Sequence, residues 1–81
     1  MLEGRSPVEV AKQLGSNPNW RVETLGKGSH AGQGWVYRHY GPRGPTGLQI
    51  RWHPGGGRHG PSPYWRVNAG HGQSEPIPGG E

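Results

Sequence analysis

Two spacings of apolar residues divide this chain into a short helical segment and a longer run of strands. Near the amino terminus Val8, Ala11 and Leu14 recur every three residues, the stripe of a helix with one face turned inward. Its start is marked by Ser6-Pro7-Val8-Glu9. Ser6 accepts from the Glu9 backbone N–H, Glu9 reaches back, and Pro7 stands where a missing N–H costs nothing. Gly15 suits a left-handed stop. The expected helix covers about residues 6–14 and is too short to stand without docking on something apolar.

After the SNPN turn the period becomes two. Trp20, Val22 and Thr24 alternate within 19–25, WVYRHY fills 35–40, Leu48, Ile50 and Trp52 alternate within 48–53, and Trp65 and Val67 within 64–69. The connections GKGSHAGQG, GPRGPTG and PGGGRHGPSP read as loops and turns. HGQSEPIPGGE reads as a flexible tail with Ile77 as its one anchor. The expected architecture is α+β: a short N-terminal helix packed on a mainly antiparallel four-stranded sheet. Residues 1–81 form a single small domain, with 1–5 and 71–81 expected to be flexible.

The alternation also assigns faces. With Ile50, Trp52, Trp65 and Val67 inward, Arg51, His53, Tyr64 and Arg66 point outward. Burying Trp35 and Tyr37 likewise turns Arg38 and Tyr40 out. Three strands thus each place an arginine on the face away from the core. Solvated strand cations that discourage edge pairing would look the same. Guanidinium forks that grip phosphate bidentately are the functional reading.

Composition narrows the picture. The chain has 81 residues, only 27% apolar, with 17 glycines, 9 prolines, 4 tryptophans and no phenylalanine. A small core must therefore draw much of its area from Trp and Tyr. The absence of cysteine excludes disulfides and thiolate chemistry. No apolar run is long enough for a membrane segment. The abrupt opening, MLEGRSPVEV, is what an excised module would show.

Charge is more specific. All five acids are glutamates (Glu3, Glu9, Glu23, Glu75 and Glu81), and none lies between Thr24 and Ser74. That window holds Lys27, Arg38, Arg43, Arg51, Arg58, Arg66 and every histidine, a charge of +6 with neutral imidazoles. Such a field attracts polyanions. It also leaves out the chemistries that need carboxylates, namely glycosidases, two-metal nucleases and Ser-His-Asp triads. GKGSHAGQG lacks P-loop spacing. A zinc site from His53, His59 and His71 would lack a carboxylate second shell. RNA cleavage without a metal asks only for imidazole acid and base groups and for cations at the phosphate.

The blocks Gly34-Trp35, Arg38, Thr46-Gly47, Ile50-Arg51-Trp52-His53-Pro54-Gly55, Arg58-His59 and Pro63-Tyr64-Trp65-Arg66-Val67 together resemble a C-terminal module of bacterial polymorphic toxins. These modules end rearrangement-hotspot and contact-dependent inhibition proteins. The pattern runs GxGW, R, TGxxIxWHPG, RH, PYW(K/R)V across roughly residues 32–70, and WHPG and PYWRV are its more specific parts. The tail SEPIPGGE and the glycine-rich loop depart from it. The resemblance implies a toxic ribonuclease of the barnase/EndoU/colicin/RelE group. It also implies an N-terminal helical part against a four-stranded sheet, delivery by a secreted or surface-bound protein into a target-cell cytoplasm, and a dedicated immunity protein.

The expected reaction is metal-independent and cofactor-free: attack of a 2′-OH on RNA, possible targets including tRNA, to leave a 2′,3′-cyclic phosphate. His53 and His59 are the expected proton-transfer groups. Arg51, Arg58 and Arg66 would hold the phosphate, Arg38 and Tyr64 would extend the cleft, and Lys27 or His30 would reach in from the first loop. The expected partners are RNA and an acidic immunity protein, with a monomer when free. A basic module that binds RNA or DNA through arginines and stacking aromatics, without chemistry, is the other reading.

Overall fold

A computed structural model describes residues 1–24, 33–57 and 60–81. One helix, α1 (Pro7–Leu14), is followed by six strands: β1 (Trp20–Thr24), β2 (Trp35–Gly41), β3 (Gly44–His53), β4 (Tyr64–Ala69), β5 (Gly72–Gln73) and β6 (Ile77–Pro78). The class is α+β, and every pairing in the sheet is antiparallel. The order is β1-β2-β3-β4-β5, with β6 also on β4. The four expected strands are present, but the sheet has six rather than four. The added pair are two-residue strands that share the outer edge of β4, meeting its two ends.

The capping box forms: Glu9 N–H donates to Ser6 Oγ at 3.2 Å, and Ser6 N–H donates to Glu9 Oε1 at 3.1 Å. That backbone donor, with Arg5 beside it, holds the Glu9 carboxyl below its ordinary value. Two details differ from expectation. Gly15 is right-handed (φ −64°), not left-handed. A Cβ there would lie 2.7 Å from the Ala11 carbonyl oxygen, so the glycine provides room rather than handedness. The helix is also rotated. Val10 is fully buried while Val8 is 62% exposed, because Pro7, Val10, Ala11 and Leu14 complete the i, i+3, i+4, i+7 stripe that Val8 does not join.

The core lies between α1 and one face of the sheet. Leu2, Val10, Tyr37, Ile50, Trp52 and Trp65 form it, with Ala11, Leu14, Trp20, Val67 and Ile77 packed around. Its three large aromatic side chains each place a polar atom against a backbone carbonyl, as buried Trp and Tyr must. Tyr37 Oη donates to Pro7 O at 2.7 Å, Trp65 Nε1 to Arg5 O at 2.9 Å, and Trp52 Nε1 to Gly80 O at 3.0 Å. The last two bring both chain ends across the core. Gly4 N–H meets Pro78 O and Gly80 N–H meets Arg5 O. Residues 71–81, read from sequence as a tail, thus carry two strands and supply an acceptor to a core tryptophan. Among the described residues no helix is long and apolar enough to cross a membrane.

The second turn is tighter than GPRGPTG suggests. Gly41 pairs with Gly44 around Pro42-Arg43, so β3 starts four residues before the expected Leu48. Pro42 presets the turn, and Gly44 takes φ +116°. A register shift at His39 separates Arg38 from Tyr40.

Candidate nucleic-acid interface

The face of the sheet away from α1 is built in rows, because residues paired across antiparallel strands share a side. One row runs Arg21, Arg38, Gln49, Asn68 and Gln73. The next runs Glu23, Val36, Arg51 and Arg66. At the loop end of β3 and β4, His53 pairs with Tyr64. The three strand arginines read from alternation therefore lie on this face with His53 and Tyr64. Arg21, on β1, is a fourth.

Arginines stand directly opposite one another twice, Arg21 with Arg38 and Arg51 with Arg66. Like charges so placed disfavour the pairing. Neighbouring groups hold these guanidinium side chains in place. Arg21 lies over the Tyr40 ring, 4.2 Å from its centre. Arg51 Nε donates to Gln49 Oε1 at 3.3 Å, and Arg66 Nη1 donates to Ser74 O at 2.9 Å. Arg38 differs: its Nε donates to Glu23 Oε2 at 3.2 Å. A carboxylate is therefore present on this face, contrary to a reading that counted acids only between Thr24 and Ser74. Glu23 lies one residue outside that window and reaches it from the neighbouring strand. Among the described residues the register places four arginines and one glutamate, Glu23, on this face.

His53 stacks on Tyr64, ring centroids 4.6 Å apart and planes within 9°. Both are half-buried at the rim. Arg51 and His53 alternate on β3 and so share the face. The loop that leaves His53 turns on itself, Gly56 N–H donating to Gly60 O at 2.8 Å. Gly55 (φ +88°) admits no side chain, since a Cβ would lie 2.5 Å from the Pro61 carbonyl oxygen.

Of the other expected site residues, Arg58, His59, Lys27 and His30 lie outside the described residues. His71 sits in the β4–β5 turn, at the far end of β4 from the Tyr64–His53 pair. Five residues of strand span roughly 17 Å, too far for His53 and His71 to share a zinc ion. His39 faces the core side, its ring 4.9 Å from that of Trp20, with Nδ1 2.9 Å from Thr46 Oγ1. Arg43 is in the β2–β3 turn. Sequence reasoning missed Arg21 and Glu23 as members of the face, although the alternation of WRVET already set both opposite Val22.

No family model, no curated protein and no solved structure matches this chain.

Proposed function

We propose that this chain is the toxic domain of a bacterial polymorphic toxin, which binds RNA across the cationic sheet face and cleaves it without a metal ion. The observation that carries the reading is the double cross-strand arginine pairing, Arg21 with Arg38 and Arg51 with Arg66. It is a local repulsion that an anion lying between the strands would relieve. Tyr40 and Tyr64 border the arginines, as stacking surfaces border the backbone track in single-strand binders.

At the loop end the phosphodiester would lie between Arg51 and Arg66, beside His53. A base takes the 2′-OH proton and the O2′–P bond forms. The arginines balance the charge on the phosphorane, the P–O5′ bond breaks, and an acid gives its proton to O5′. His53, fixed by its stack on Tyr64, is one of the two groups. His59, from the loop that follows, is the other. Glu23, the carboxylate that the register places on this face, is held by Arg38, and one carboxylate alone suits a hard cation poorly. A positive face also suits an acidic immunity protein that covers it in the producing cell.

The test is incubation of purified protein with total RNA in EDTA. Fragments ending in 2′,3′-cyclic phosphate are expected, with His53→Ala slower by about 10²- to 10⁴-fold and still folded. RNA that is retained but left whole would favour the second reading, a binding module without chemistry. That reading draws on one observation: among the described residues, His53 is the one histidine the register places on this face.

A further inference from the structure

The outer edge of β1 has a sequence and a hydrogen-bond phase that fit a second copy of itself. β1 ends the sheet and pairs only with β2 among the described residues. Four of its five residues, Arg21 to Thr24, are exposed. Asn19 O accepts from Tyr40 N–H on the β2 side, whereas Trp20 N–H turns to Asn17 O. Inward and outward groups alternate along an antiparallel strand. Asn19, Arg21 and Glu23 therefore bond to β2, and Val22 and Thr24 aim N–H and C=O outward.

We infer that two copies of this chain associate through β1, antiparallel about a two-fold axis at Val22, to make one continuous sheet. An isologous contact requires a self-complementary patch, and WRVET is one. Centred on Val22, the pairing sets Arg21 opposite Glu23 of the second copy, twice. It sets Trp20 opposite Thr24, twice. The outward N–H and C=O of Val22 bond reciprocally, and Thr24 N–H of each copy meets Trp20 O of the other. Trp20 N–H, which a full ladder would give to Thr24 O of the other copy, is already turned to Asn17 O, so each end of the ladder forms one bond and Val22 at the centre forms two.

Side chains agree with the ladder. Glu23 binds Arg38 through Oε2, and Oε1 can take the arginine of the second copy. On the helix side, β1 borders an apolar groove of about 270 Å³ lined by Pro7, Val8, Ala11, Val22, Trp35 and Tyr37. Val8, Val22 and Trp35 are 62%, 45% and 39% exposed. Pairing at Val22 brings the two grooves together, so the copies shield each other's apolar strip. The inference is independent of what the cationic face binds.

Sedimentation velocity from micromolar to millimolar protein tests it. The chain should shift from monomer to dimer, less readily at high salt. R21E sets two pairs of carboxylates against each other across the axis, and E23R two pairs of guanidinium groups. Each alone should stay monomeric over the same range. Mixed in equal amounts they should form a heterodimer, because both cross-axis pairs again have opposite charge. Val22→Pro removes an outward donor while leaving the β2 ladder intact, and it should also be monomeric. Circular dichroism of each variant checks that it is folded; if E23R is not, because Arg38 loses its partner, the proline variant decides. A chain that stays monomeric throughout, a folded Val22→Pro that dimerises as the parent does, or folded charge variants that fail to combine would each overturn the pairing.

Discussion

Tyr37 ties α1 to the sheet by one buried hydroxyl, and its removal should have an effect that reverses sign with pH. The side chain is 1% exposed and donates to Pro7 O at 2.7 Å. Tyr37→Phe deletes that donor and little else, so at neutral pH it should destabilise by about 1 kcal/mol. Burial also raises the Tyr37 pKa from 10.0 to about 12. Between those values the unfolded chain gives up the phenolic proton while the folded one keeps it. The folded state then binds more protons, and stability falls as pH rises. The contribution is complete below pH 10 and is lost through pH 12, a total of about 3 kcal/mol for two pKa units. The phenylalanine variant has no such loss. Its stability should therefore lie below that of the parent at pH 8, meet it between pH 10 and 11, where the loss equals the roughly 1 kcal/mol of the hydrogen bond, and exceed it at higher pH. Urea unfolding followed by tryptophan fluorescence, at steps from pH 8 to 11.5, measures both curves. The two proteins differ at Tyr37 alone, so the difference between the curves isolates it. A gap that stays constant across the range would refute the burial argument, and no gap at pH 8 would refute the hydrogen bond.

Three further outcomes follow from the geometry. Arg51→Ala and Arg66→Ala should each weaken binding of single-stranded RNA and lower the slope of log K against log salt by about 0.7, the effect of one phosphate contact; unchanged slopes in filter binding would remove these residues from the interface. Gly55→Ala should lower the melting temperature and disturb the loop beside His53, because its Cβ would lie 2.5 Å from Pro61 O at a φ of +88°; an unchanged melt would mean the turn relaxes freely. If the chain is a toxin domain as proposed, its immunity protein should associate more slowly as salt rises and should lose affinity for Arg51→Ala; salt-independent association in stopped flow would place its contact elsewhere.

The sequence carried the main strands because their period was long enough to read. WRVET, WVYRHY, LQIRWH and YWRVNA each hold several alternations, and the capping box at Ser6 marked the helix start. Strands β5 and β6 have two residues each, and Pro76 and Pro78 flank or enter one of them, so no alternation announces them. What holds that segment is tertiary: the edge of β4, and the need of Trp52 for an acceptor, which Gly80 O meets. Two inward tryptophans on neighbouring strands were legible, and each implied a carbonyl that β1 to β4 do not supply. Helix phase was misread for a related reason. Pro7 marked the start, but it is also a buried member of the stripe.

The cationic face shows the same division between local and spatial information. Alternation within a strand needs only neighbours in sequence, and it was enough to set Arg38, Arg51, Arg66 and His53 on one side. Pairing between strands needs turn lengths. Those depend on the two-residue turn at Pro42-Arg43 and the shift at His39, neither of which GPRGPTG or WVYRHY declares. Register is what turns single surface arginines into opposed pairs, and it is also what brings Glu23 to Arg38 across fifteen residues of sequence. A charge count along the chain therefore overstated how bare the face is and missed Arg21 altogether. The chemistry of a sheet surface is set by rows that cross strands. On this face the register sets Arg21 against Arg38 and Arg51 against Arg66, and it brings Glu23 from the second of those rows to Arg38 in the first.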